Sequence, residues 1–121
     1  MKVFAVILLA AAMLLVPGCK KKNQAPEVPT VPSGPSTGRV DSSYSFWTRA
    51  EDPDADSICY RFDWNDGDTS EWSSWVPSGS PVAKSHSWSS GGNYSIMAQA
   101  KDVNEALSSW SSGHQVTIAN N

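Results

Sequence analysis

Three aspartates spaced by two, Asp52, Asp54 and Asp56, open the stretch "EDPDADSICYRFDWNDGD", and Asp63, Asp66 and Asp68 close it. Carboxylates at such spacing are the ordinary ligands of a hard cation such as calcium. The first three match the opening ligands of an EF-hand loop, and Asp63 falls at its twelfth position. The sixth position, however, is Ser57 and not glycine, and residues 58 to 64 alternate as a strand, so the chain cannot wrap an ion in that way. What remains is a looser surface calcium site of Asp52, Asp54 and Asp56 joined by Asp102 from a neighbouring loop, or simply a solvated turn. All six tryptophans, Trp47, Trp64, Trp72, Trp75, Trp88 and Trp110, lie beyond residue 46. Trp72, Trp88 and Trp110 each precede paired serines. Trp72 and Trp75 flank a turn, where indoles can stack on sugar rings or cover a sheet edge.

Catalysis finds little to work with. His86 and His114 are the only histidines, and nothing groups a nucleophile, a base and an orienting acid. The chain reads as no enzyme. Cys59 shares a strand face with Arg61 and Asp63 and reads as a packed thiol.

These residues must be held by short strands. In "DSSYSFWTRA" Tyr44, Phe46, Thr48 and Ala50 share one face, and "SICYRFDW" repeats the pattern with Ile58, Tyr60, Phe62 and Trp64. "NYSIMAQA" and "HQVTIA" do so again. Turn signals at Asp52-Pro53, Asp66-Gly67, Ser78-Gly79 and Gly91-Gly92 separate them, and no long stretch has helical periodicity. An antiparallel sandwich follows. Trp64 and Trp88 belong in its core. In "DWNDGD" Asn65 tolerates, and Gly67 favours, positive φ, while Asp63 or Asp66 bonds nearby backbone donors.

Ahead of the strands, "MKVFAVILLAAAMLLVPGC" has a charged start, an apolar run and a closing cysteine, the layout of an export signal. About 14 apolar residues rise about 21 Å as a helix, short of the roughly 30 Å needed to span a bilayer. The ending resembles the lipobox of bacterial lipoproteins, which implies residues 1–18 as signal peptide, a lipidated Cys19, and residues 19–25 as tether. Export to the cell membrane or outer membrane is the expected location, with the membrane reached through Cys19. The lysines at 20 to 22 then either lie against anionic headgroups, at about 1 kcal/mol each, or form a solvated link. From Pro26 prolines recur every third residue to Pro35, favouring an extended course that ends as an edge strand with Val28 and Val31 near the sheet.

With Lys2 and the lysine triplet set aside, Arg39, Arg49, Arg61, Lys84 and Lys101 face twelve acidic residues. Such a domain repels phosphate backbones, so nucleic acid is not an expected partner. With Cys19 committed to lipid, Cys59 has no disulfide partner. The core alone must hold the fold.

The segments "EDPDADSICYRFDWNDGDTSEW", "SHSWSSGGNYSIMAQAKD" and "LSSWSS" resemble the PKD-like, immunoglobulin-fold domains of secreted proteins, which in turn resemble fibronectin type III modules. The likeness spans residues 26–119. It implies an all-β, immunoglobulin-like sandwich of about seven strands and a non-catalytic role in binding, adhesion or spacing within an envelope assembly, with an envelope or extracellular protein as partner. A carbohydrate-binding module using Trp72 and Trp75, with a glycan as partner, is the alternative. No cofactor is required, and surface calcium is the one candidate.

Overall fold

Alternation places Ile58, Tyr60, Phe62 and Trp64 on one face, and all four are buried in the computed structural model, which describes residues 21–121. The signal segment and Cys19 lie outside the described residues. Six strands form: β1 (Thr37–Arg39), β2 (Tyr44–Thr48), β3 (Ile58–Asp63), β4 (Val82–His86), β5 (Gly92–Asp102) and β6 (His114–Ala119). They make a four-stranded sheet ordered β1-β6-β5-β3 and a two-stranded sheet β2-β4. Every pairing is antiparallel except β1 with β6, which is parallel. The long β5 serves two partners, β6 through its first half and β3 through its second.

Between the sheets Phe46, Phe62, Trp64, Trp88, Ile96 and Val116 form the main core, with Tyr60, Ile58 and Ala100 in an adjoining cluster. The Trp64 ring stacks on Phe62 at 5.2 Å and on His86 at 4.7 Å, and meets Trp88 edge-on at 6.2 Å. Trp88 Nε1 donates to the Trp64 carbonyl at 3.2 Å, so the indole is buried with its polar atom satisfied.

The seventh strand position is filled by the proline-rich segment. The N–H groups of Glu27, Thr30 and Ser33 donate to the carbonyls of Glu51, Arg49 and Trp47, so three residues of the segment advance for every two of the sheet. Val28 and Val31, expected near the sheet, are 52% and 43% exposed, and Pro26, Pro29 and Pro32 are buried instead. The reason is periodicity. An extended helix with three residues per turn brings every third residue to the same side. Proline has no N–H to leave unpaired, so it faces inward while the next residue donates.

Serine repeats this device twice more. Ser70 and Ser73 line β3, and Ser108 and Ser111 line the second half of β5. Each donates its N–H to a strand carbonyl, at Phe62, Tyr60, Ala100 and Ala98 respectively. Each also accepts the same residue's N–H on its Oγ, at 2.9 to 3.0 Å. A three-residue period cannot keep register with a two-residue one through backbone alone, and the hydroxyl supplies the acceptor that a true strand's carbonyl would have given.

Candidate functional site

Because Ile58 pairs with Asp102, the turn entering β3 and the turn leaving β5 lie side by side. The two are built alike. Asp52 Oδ1 accepts the N–H of Asp54 at 2.8 Å and of Asp56 at 3.3 Å; Asp102 Oδ1 accepts those of Asn104 and Ala106, both at 2.9 Å. The third residue on donates to the aspartate's carbonyl and is left-handed: Ala55 at φ 60° and Glu105 at φ 68°. Neither is glycine, the residue for which this conformation carries no steric penalty. Ala55→Gly is therefore expected to stabilise the domain by about 0.5 to 1 kcal/mol, seen as a melting rise of about 3 to 6 °C. An unchanged melting point would show that Ala55 carries no strain.

The twin turns bring one carboxylate oxygen each from Asp52, Asp56 and Asp102 within 4.8 Å of one another. Asp102 is fully buried and Asp52 is 5% exposed. The second oxygen of Asp102 accepts from Asn23 Nδ2 at 2.9 Å. That of Asp52 is buried with no hydrogen-bond partner, alone in this among the described residues. Asp56 is held above the ordinary carboxylate range by desolvation and by the charges of Asp52, Asp54 and Asp102.

Asp54 stands apart from the triad. Its carboxylate turns to the tether, accepting the Gln24 N–H at 2.8 Å and facing Lys21 Nζ at 3.6 Å. Beside it opens a cavity of about 590 Å³ lined by Lys21, Asn23, Asp54, Asp56 and Asn104. The donors are all oxygen, with no thiol or imidazole among them, and lie close enough together to share one hard cation. That chemistry fits calcium. A metal would also offset three crowded carboxylates and satisfy the orphaned Asp52 oxygen.

The tryptophans form a second constellation. In "SEW", "SSW" and "SSW" an indole follows two residues after Ser70, Ser73 and Ser108, so the three-residue period carries Trp72, Trp75 and Trp110 to cations on the outer face of β3 and β5. Arg61 lies 4.6 Å from the Trp72 ring and 5.2 Å from Trp110; Lys101 lies 4.5 Å from Trp72 and 5.9 Å from Trp75. Arg61 is fixed by two bonds to Gln99 Oε1, at 3.0 and 2.8 Å. Trp72 is thus committed to two cations, whereas Trp75 is 47% exposed. The two histidines are likewise engaged. His86 Nε2 lies 2.7 Å from Asp66 Oδ2 and His114 Nε2 3.0 Å from the Pro35 carbonyl.

Two features were not foreseen from sequence: Asn23 and Asn104 at the acidic cluster, and Arg61 and Lys101 among the indoles. The former come from opposite ends of the chain and carry no local signal. The serine and tryptophan spacing was the available signal for the latter.

Two facing sheets of short strands closed by a corner at Asn65 and Gly67 define an immunoglobulin-like domain. The chain is 36% identical to the PKD domain of an M14-like peptidase from Thermoplasmatales archaeon SCGC AB-540-F20, with a TM-score of 0.73 over 81% of this chain and 99% of that one. It belongs to the PKD-domain family. It also shares its fold with the CARDB domain of the PF1109 protein from Pyrococcus furiosus, a structure in complex with di-metal ions, at 14% identity and a TM-score of 0.57 over 84% of this chain and all of that one. The chain matches no family model and no curated protein.

Proposed function

We propose that this chain is a lipid-anchored envelope or surface protein whose PKD domain is a non-catalytic binding, adhesion or spacer module carrying calcium at its anchored end. The observation that carries this reading is the docking of the tether. Lys21 pairs with Asp54, Asn23 with Asp102, and Gln24 with Asp54, at the same end of the sandwich as the acidic triad. Two residues reach at most about 7 Å. A lipid on Cys19 would therefore hold that end of the domain close to the bilayer, with the lysines at 20 to 22 beside the headgroups. The body of the domain then faces outward toward an envelope or extracellular protein. The acidic charge of the domain supports a protein partner over nucleic acid.

Calcium at Asp52, Asp56 and Asp102 would supply charge neutralisation and structural bonding at this end. Asp52 and Asp102 already bond the backbone of their own turns, which supports a structural role.

Cys19→Ser is the direct test of anchoring. The variant is expected to leave the membrane fraction and to accumulate as unprocessed precursor. Retention in the membrane with normal processing would remove the lipoprotein assignment.

A further inference from the structure

We propose that the outer edge of β4 is a docking site for an extended segment of a protein partner, which adds to the sheet as a further strand and alternates apolar residues with polar ones, a basic residue among the latter. The site rests on the reading of the domain as a binding module and is independent of the anchor and of calcium.

Backbone direction singles out this edge. Trp47 exchanges both its backbone groups with Ser33, and the Arg49 carbonyl accepts from Thr30, so Trp47 and Arg49 face the proline-rich segment while Phe46 and Thr48 face β4. Their partners there are Lys84 and Val82. Ala83 and Ser85 alternate with these, so their N–H and C=O groups point the other way. Those groups make no backbone bond among the described residues. Other edges are covered: β2 meets Ser33, β3 meets Ser70 and Ser73, and the second half of β5 meets Ser108 and Ser111. Beside β4 no such segment runs.

Two openings flank the bare edge and set what can fill it. On the outer face a cavity of about 340 Å³ is lined by Trp47, Pro81, Val82 and Ala83. Trp47 stands directly across from Ala83, which is too small to cover it, and the indole is 45% exposed. On the inner face a cavity of about 400 Å³ extends from Lys84 and His86 to Asp68 and Glu71. His86 is engaged by Asp66, and neither Asp68 nor Glu71 forms an ion pair among the described residues, which leaves two carboxylates against Lys84. Asp68 belongs to the His86 end, because Trp64 stacks on His86 at 4.7 Å and donates its backbone N–H to the Asp68 carbonyl at 3.1 Å.

An added antiparallel strand sets the residues opposite Ala83 and Ser85 on the outer face, where an apolar side chain covers the indole. The residues opposite Lys84 and His86 turn inward, and a basic one opposite His86 faces Asp68. A second copy of the chain does not fit. The antiparallel register that pairs the open residues of two β4 edges, Ala83 with Ser85 and Ser85 with Ala83, sets Lys84 against Lys84. Like charges directly opposed are destabilising, and an inward lysine on an edge strand is a usual guard against self-pairing.

The test uses the full chain in neutral detergent and a synthetic peptide, Gly-Arg-Val-Thr-Val-Thr-Gly with both ends capped, and follows amide exchange by NMR. Without peptide, the Ala83 and Ser85 amides are expected to exchange freely while those of Val82 and Lys84 are protected by β2. At saturation the peptide should slow the first two about tenfold or more. Methylating its valine nitrogens, which face β4, should abolish the slowing; methylating its threonine nitrogens, which face solvent, should not. Glutamate in place of the arginine should weaken binding about tenfold, and Asp68→Asn should remove that difference. Equal affinity of the wild-type chain for the two peptides would overturn the place of the basic residue. Binding that leaves both amides exchanging freely, or that survives methylation of the valines, overturns the edge as the site and leaves the domain a binding module. Protection that rises with protein concentration in the absence of peptide would put a second copy on the edge and overturn the proposed partner. No binding at all removes the site, and with it the support it lends to a binding module.

Discussion

Trp64→Ala is expected to cost about 4 kcal/mol, close to half of what holds a domain of this size together. The indole lies between Phe62 and His86, stacked on both, and touches Phe46 and Trp88 at ring separations of 6.0 and 6.2 Å. Its removal opens a cavity between the sheets that no neighbour can fill without leaving its own packing. Trp75→Ala is the control, since that ring is half-exposed and has a single cation, Lys101, 5.9 Å from its centre. It should cost less than about 1 kcal/mol. Urea melts of the two variants measure the difference. Equal losses would mean that Trp64 is not the centre of the core.

The second large effect is calcium itself. The domain is expected to fold in chelator, because its aromatic core is complete without the acidic turns. At about a hundredfold excess over its dissociation constant, calcium should then stabilise it by about 2.7 kcal/mol, a melting rise of about 10 °C or more. Asp52→Asn should separate the two states of the site. In chelator it relieves repulsion at the buried triad and should be at least as stable as wild type, whereas in calcium it should lose the rise. A wild-type melting point indifferent to calcium would leave the triad as a strained corner with no ion to hold.

The difference between what the residues disclosed and what they concealed is one of distance and period. Two-residue alternation exposed β2, β3, β5 and β6, because each strand buries one face against the same core. The corner after β3 was equally plain. Asn65 at φ 66° and Gly67 at φ 93° take the left-handed positions, with Asp63 and Asp66 capping the N–H groups of Asn65 and Asp68. The three-residue segments were harder to read, since Val28 and Val31 are the apolar residues there and yet the prolines turn inward. At the acidic site, Asp52, Asp54 and Asp56 could be grouped by spacing alone. That spacing does not reveal that Asp54 turns to Gln24, or that Asn23 and Asn104 come to the cluster from segments some eighty positions apart.

The one parallel pair has a mechanical consequence. Thr37–Arg39 of β1 runs alongside Thr117–Ala119 of β6 in the same direction, so a pull on the amino-terminal side of β1 and an opposing pull on the far end of β6 act along the strands in opposite senses. Once the tether is peeled away, the bonds between them are loaded in shear and must give together, where an antiparallel hairpin would open one rung at a time. A partner gripping the carboxy-terminal strand would therefore pull against the pairing best placed to resist it.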